Sequence, residues 1–166
     1  MIQKKILVVD DDEDIIAVIQ TLLENEGFIV ITAYNKNEGF AKVKTEKPDL
    51  IILDVMMRTQ YEGFEMAKDI SEDIEFKKIP ILIQTSVEVF SSQIPDVIGM
   101  AREYRKNPFN KELEVLLIED KQSGTCGIDY RTENGETIWV QVNGFVRKPV
   151  DSKKLLPAIK KFLKWK

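Results

Sequence analysis

Histidine is absent from the 166 residues, and cysteine occurs once, at Cys126. Without an imidazole these residues hold no Ser-His-Asp or Cys-His catalysis, no His-ligated zinc and no phosphohistidine. One cysteine excludes a disulfide framework and any multi-cysteine metal site, and it fits a reducing compartment. Cys126 itself reads as a small, inert, part-buried residue, since no helix start or basic cluster beside it would stabilise a thiolate. Uninterrupted apolar runs are short, well under the ~18 residues a spanning helix needs. Met1-Ile2-Gln3-Lys4-Lys5 leads straight into Ile6–Val9 rather than into a secretory signal. The expectation is a soluble cytoplasmic protein with no membrane span. Excess charge of one sign is lacking too: 24 Lys+Arg against 28 Asp+Glu leave a net charge of −4, no reason to expect direct nucleic-acid binding.

What is present is a globular composition. Hydrophobic residues at 43% beside 31% charged argue against disorder. The length suits one domain, or one domain with an embellishment, and buries roughly 70% of the unfolded surface.

Two periods alternate through the first half. Ile6-Leu7-Val8-Val9 is a β-branched run closed by Asp10, the mark of a buried strand. Ile15, Ile16, Ile19, Leu22 and Leu23 then recur at helical spacing, with Asp12 placed as N-cap and Gly27 as C′ residue. Phe28 to Thr32 is a second strand. Asn35 to Lys47 is a weaker helix with Phe40, Ala41 and Val43 inward, stopped by Pro48. Leu50 to Leu53 is a third strand ending in Asp54. A helix over about 63–73 follows, then a fourth strand over 79–84, with Pro80 near its start where a missing N–H is tolerated. Strand–helix alternation with near-continuous apolar strands means an α/β domain built on a parallel sheet.

After Thr85 the rhythm changes. A helix fits 93–106, strands fit 114–118 and 137–142, and Asn134-Gly135 signals a hairpin whose first arm is Cys126 to Arg131. Phe145-Val146 leads to Lys148-Pro149, and Asp151 opens a last helix that Pro157 should distort or delay. That helix carries Lys153, Lys154, Lys160, Lys161, Lys164 and Lys166 opposite an apolar face, which reads first as an amphipathic core helix with solvated lysines and second as a membrane or acidic-partner surface. Trp139 fits buried packing and an exposed anchor equally well.

Ligands of an open parallel sheet sit beyond the carboxyl ends of its strands. Those ends here are Asp10-Asp11, Asp54, Thr85-Ser86 and Lys148-Pro149. An aspartate cluster after a strand is by itself often only a helix cap and solvated charge. Three carboxylates on one rim, however, repel one another unless a cation neutralises them, and oxygen-only ligation suits Mg²⁺. A carboxylate beside Mg²⁺, an ammonium and a hydroxyl is a suitable phosphoryl acceptor, because each partner stabilises charge on the equatorial oxygens.

Four segments carry a family resemblance: Ile6-Leu-Val-Val-Asp-Asp-Asp-Glu-Asp-Ile15, Pro48-Asp-Leu-Ile-Ile-Leu-Asp-Val-Met-Met57, Ile79-Pro-Ile-Leu-Ile-Gln-Thr-Ser86 and Val146-Arg-Lys-Pro-Val150. In this order the chain resembles the receiver domain of bacterial two-component response regulators, over residues 4–86 and 143–166. The resemblance implies a flavodoxin-like, doubly wound, parallel five-stranded sheet of order 2-1-3-4-5. It implies that Asp54 accepts phosphate from a sensor histidine kinase or a histidine phosphotransfer protein. Mg²⁺ would be bound directly by Asp11, through water by Asp10, and by Asp54 and the Met56 carbonyl. Thr85 would bond the phosphoryl oxygen and change rotamer, Lys148 would pair with the phosphoryl group, Pro149 would follow in a cis bond, and Phe145 would be the switch aromatic.

Departures from the family pattern are local. Arg58 stands where the family usually has proline, and the loop 58–62 is one residue longer than usual. Met56 and Val87 offer no carboxylate or amide to orient a hydrolytic water, so a long-lived phosphoryl state and only slow self-dephosphorylation follow. Lys148 lies 63 positions beyond Thr85. A helix, two loops and a strand need roughly 25, so the surplus is near 40, too many for a structureless loop. An insert over about 87–142, containing a β-hairpin, is therefore expected inside a single receiver domain spanning 1–166. It lies where receivers meet partners, so output should come through a downstream protein target, with homodimerisation left open.

No DNA-binding or enzymatic output segment is visible, so the expectation is that the chain acts by binding, relays phosphate, or is a fragment. A receiver-like interaction module that binds independently of phosphorylation is the alternative, opposed by intact Asp11, Asp54, Thr85 and Lys148. A phosphotransfer enzyme is disfavoured because Met56 stands where a second acid would be needed.

Overall fold

A computed structural model describes residues 3–55, 57, 62–91, 96–111, 113–132 and 134–163. In chain order the elements begin β1 (Lys5–Val9), α1 (Glu13–Asn25), β2 (Ile29–Ala33), α2 (Lys36–Glu46), β3 (Leu50–Asp54), α3 (Glu62–Glu72) and β4 (Ile81–Thr85). They continue β5 (Val89–Ser91), α4 (Val97–Arg105), α5 (Pro108–Lys111), β6 (Val115–Glu119), β7 (Cys126–Arg131) and β8 (Thr137–Val142), and end with β9 (Gly144–Arg147) and α6 (Ser152–Phe162). Two compact units result: 1–86 with 145–166, and 87–144.

The first unit holds a five-stranded sheet of order β2-β1-β3-β4-β9, so the chain's ninth strand is the fifth of this sheet. The pairs β1·β2, β1·β3 and β3·β4 are parallel, with Val9 opposite both Ala33 and Leu53, and Asp54 opposite Gln84. β1, β3 and β4 are buried on both faces, as their unbroken apolar runs require. On one face Ile16, Ile19 and Leu23 of α1 and Leu155 and Ile159 of α6 pack on Ile6, Val8, Ile52 and Leu82. On the other, Met66 of α3 lies against Gly39 of α2 and near Val9. Helices on both faces make the sheet doubly wound, the flavodoxin-like arrangement.

Caps explain the helix starts. The Asp12 carboxylate accepts from the Asp14 and Ile15 N–H groups, Asn35 caps α2, and Asp151 caps α6 through Lys154 N. Gly27 takes φ +92 after α1, and Lys47, not a glycine, takes φ 47 before Pro48. Two readings need correction. Ala41 is exposed, because α2 buries only Gly39 and Val43. Pro157 does not delay α6, which starts at Ser152 and runs through it.

The second unit is a mixed sheet of order β5-β6-β7-β8, with β5 parallel to β6 and the other pairs antiparallel. The expected hairpin is β7–β8: Gly135 takes φ +84 and its N–H donates to the Thr132 carbonyl at 2.9 Å. α4 lays Val97 and Ala101 on Ile118, with Phe90, Tyr104 and Trp139 around them. Trp139 is thus packed and half-buried. Its ring covers Gly127, where a Cβ would overlap the indole carbons. Arg105 joins helix to sheet, its Nε 2.9 Å from Asp129 Oδ2. Cys126 is buried on β7, its thiol facing the Val142 carbonyl at 3.3 Å.

Candidate functional site

Parallel register carries three polar side chains to one level of the sheet. Asp10 follows Val9, Val9 lies opposite Leu53, and Asp54 lies opposite Gln84. The sequence therefore leaves its apolar runs at matching heights on β1, β3 and β4. Asp10 is held by its own backbone, whose N–H donates to the Ala33 carbonyl at 3.1 Å. Lys148 arrives from the end of β9, its N–H donating to the Thr85 carbonyl at 2.9 Å. The Lys148–Pro149 bond is cis.

The Lys148 ammonium bridges two carboxylates, 3.2 Å from Asp54 Oδ2 and 3.3 Å from Asp10 Oδ2. Oxygens of Asp10, Asp11 and Asp54 lie within 4.8 Å of one another, with Asp10 and Asp54 buried and Asp11 exposed. Thr85 is buried at the end of β4, and Phe145 is half-buried on β9. Met56 lies outside the described residues, as does the 58–61 loop, so the carbonyl expected there as a ligand is not placed.

Electrostatics follow from burial. Desolvation pushes the Asp10 carboxyl above the usual carboxylate range, helped by the neighbouring Asp11 charge and opposed by the Asp12 N–H and by Lys148. For Lys148, burial works against the charge, but Asp54 and Asp10 outweigh it and hold the ammonium above its ordinary value. One ammonium faces three carboxylates. A hard, oxygen-seeking cation such as Mg²⁺ fits that donor set and its charge deficit.

A group with a raised carboxyl pKa binds its proton more tightly folded than unfolded, so its ionisation costs stability. The cost is complete above the raised pKa and fades as pH falls through it. Asp10→Asn should therefore raise the thermal unfolding midpoint of the chelator-treated protein at neutral pH. The gain should shrink on acidification through Asp10's raised pKa. Melts in EDTA across a pH series check this, and a gain unaffected by pH would contradict it.

Two contributors escaped the sequence reading. Gln84 is fully buried, and its Nε2–H donates to Asp10 Oδ2 at 2.8 Å. The only signal was one polar residue inside Ile81-Leu82-Ile83-Gln84. Gly63, in the first turn of α3, is pressed onto the end of β3: a Cβ there would overlap the Asp54 carbonyl oxygen and stand 2.6 Å from Val55 Cα. No pattern within the sequence marks that approach.

Among known proteins, residues 6–101 match the family model described as the response regulator receiver domain. Alkaline phosphatase synthesis transcriptional regulatory protein PhoP of Bacillus subtilis is 40% identical over 110 residues, covering 64% of this chain and 43% of PhoP. Protein PilH of Pseudomonas aeruginosa is 30% identical over 120 residues, covering 72% of this chain and 98% of PilH. The chain thus spans under half of PhoP but nearly all of PilH. The solved structure of chemotaxis protein CheY4 from Vibrio cholerae matches with a TM-score of 0.62 at 24% identity, covering 98% of this chain and 100% of CheY4, a likeness of fold.

Proposed function

The chain belongs to the response regulator receiver family, and from that premise we propose that it is a phosphorylation switch with Asp54 as phosphoacceptor. The observation that carries this reading is the Lys148 ammonium held between Asp54 and Asp10 beside a three-carboxylate cluster. In the reaction a carboxylate oxygen of Asp54 attacks phosphorus. The P–N bond to the donor imidazole breaks, an acyl phosphate O–P bond forms, and the imidazole leaves with its electron pair. The chain has no histidine, so the donor is a histidine outside these 166 residues, on a sensor kinase or a phosphotransfer protein.

Asp11 and Asp54, with Asp10 in support, would hold Mg²⁺, which would supply charge neutralisation at the transferring group. Lys148 moves from carboxylate pairing to the phosphoryl oxygens. The Thr85 hydroxyl donates to the new group, and Phe145 reports its rotation along β9. An apolar groove of about 450 Å³, lined by Ile15, Val18, Pro149 and Val150, opens beside Lys148 and supports docking of a donor protein there. Val87 offers no group to orient a hydrolytic water, which supports a slowly lost phosphoryl group. We read the unit 87–144 as an insert in one receiver domain that delivers output to a protein target in the cytoplasm, without turnover of a separate substrate.

The test is intact mass after incubation with Mg²⁺ and acetyl phosphate. One phosphoryl group should be gained and retained on removal of the donor, and EDTA should abolish the gain. An unchanged mass in Mg²⁺ overturns the reading in favour of a phosphorylation-independent interaction module.

A further inference from the structure

The Gln84 side chain interrupts a buried apolar strand, and burying an amide is unfavourable unless its polar atoms are used. One is: Nε2–H donates to Asp10 Oδ2 at 2.8 Å. The orientation of the amide is fixed by chemistry, because an ionised carboxylate only accepts and so must face the NH₂ group. The other atom, Oε1, is buried and has no hydrogen-bond partner among the described residues.

Asp10 is correspondingly well occupied. Its Oδ1 accepts from Asp12 N–H at 2.9 Å, and its Oδ2 accepts from Gln84 and lies 3.3 Å from the Lys148 ammonium. If Lys148 swings wholly to a phosphoryl group on Asp54, Asp10 loses that cation. Gln84 is then the donor that keeps the buried carboxylate in place. A leucine or methionine at 84 would fill the same space without this bond or the orphan acceptor.

We propose that Gln84 is a positioning residue for the cation site: its Nε2–H orients the Asp10 carboxylate. The inference rests on the reading of Asp10, Asp11 and Asp54 as the Mg²⁺ site. Residues that orient ligating carboxylates typically cost 10–100-fold in metal affinity when removed.

The experiment is a titration with Mg²⁺ alone, followed by backbone amide NMR, on the wild type and Gln84→Met, with thermal melts of both in EDTA. Weakening of Mg²⁺ binding by ~10-fold is expected in the variant. Its unfolding midpoint in EDTA should equal or exceed the wild type's, because the orphan acceptor is gone. Affinity and stability moving apart in this way is not what a packing role would give. Equal Mg²⁺ affinity in the two proteins overturns the role of Gln84 while leaving the metal site intact. A wild type that binds no Mg²⁺ overturns the metal reading itself. Should Gln84→Met fail to fold, the wild type still decides: Mg²⁺ should shift the Gln84 side-chain amide resonances and slow their exchange, and unmoved resonances overturn the proposal.

Discussion

Given Mg²⁺ and acetyl phosphate, the wild type gains one phosphoryl group and Asp54→Asn gains none. Asparagine keeps the shape of the side chain but replaces the nucleophilic carboxylate oxygens with a neutral amide that cannot form an acyl phosphate. The loss should be complete rather than partial. Asp54 is the buried carboxylate that shares Lys148 with Asp10, whereas Asp11 is exposed. Folding should survive, because the variant removes one of three clustered negative charges while Asp10 still pairs with Lys148. Intact mass reads the acceptor and a thermal melt reads the fold. Undiminished labelling of a folded Asp54→Asn protein would move the acceptor elsewhere, and peptide mapping would locate it.

Gly63→Ala should be the most damaging single methyl group in this part of the chain. The added Cβ would overlap the Asp54 carbonyl oxygen and meet Val55 Cα at 2.6 Å and the Val55 carbonyl oxygen at 2.8 Å. All three are backbone atoms, so no rotamer change relieves the overlap. Either α3 retreats or the end of β3 shifts, and the second moves Asp54 itself. Overpacking typically costs ~1–3 kcal/mol, and a rigid backbone contact belongs at the upper end. For a chain of this size ~3 kcal/mol lowers the unfolding midpoint by ~10 °C. Phosphoryl uptake should slow as well, since in-line attack tolerates little displacement. Gly27→Ala is the control: nothing stands within 4 Å of its Cβ, and only its φ of +92 is penalised. That variant should lose some stability but phosphorylate at the wild-type rate. Equal uptake by Gly63→Ala and wild type would show that α3 moves and the acceptor does not.

Much of the fold could be read because its signals are local. The runs Ile6–Val9 and Leu50–Leu53 are too apolar and too short for anything but buried strands, and Asp12 and Asn35 cap the helices that follow. Asn134-Gly135 marked its hairpin for the same reason, since a tight turn is decided by two residues. β5 was not readable: Val89-Phe90-Ser91 is a strand only because it pairs with Leu117, Ile118 and Glu119 of β6, 28 positions later. The inward placement of Ala41 failed because α2 buries a narrow stripe, Gly39 and Val43, which periodicity cannot distinguish from a wider one.

The candidate site divides along the same line. Asp10, Asp54, Thr85 and Lys148 could be picked out from sequence because each terminates a strand-like run, and strand ends in a parallel sheet share one rim. Gln84 and Gly63 could not, since their roles lie in what faces them across the sheet. Sequence alone determined that these residues build an α/β domain on a parallel sheet, which polar groups stand at its strand ends, and that a structured segment separates Thr85 from Lys148. Only the tertiary structure decided that one ammonium serves both Asp54 and Asp10, that Gln84 holds Asp10, and that α3 leaves no room for a side chain at 63. Strand propensity and apolar periodicity act over a few residues, whereas hydrogen bonds, charge sharing and steric exclusion act between atoms that register alone brings together.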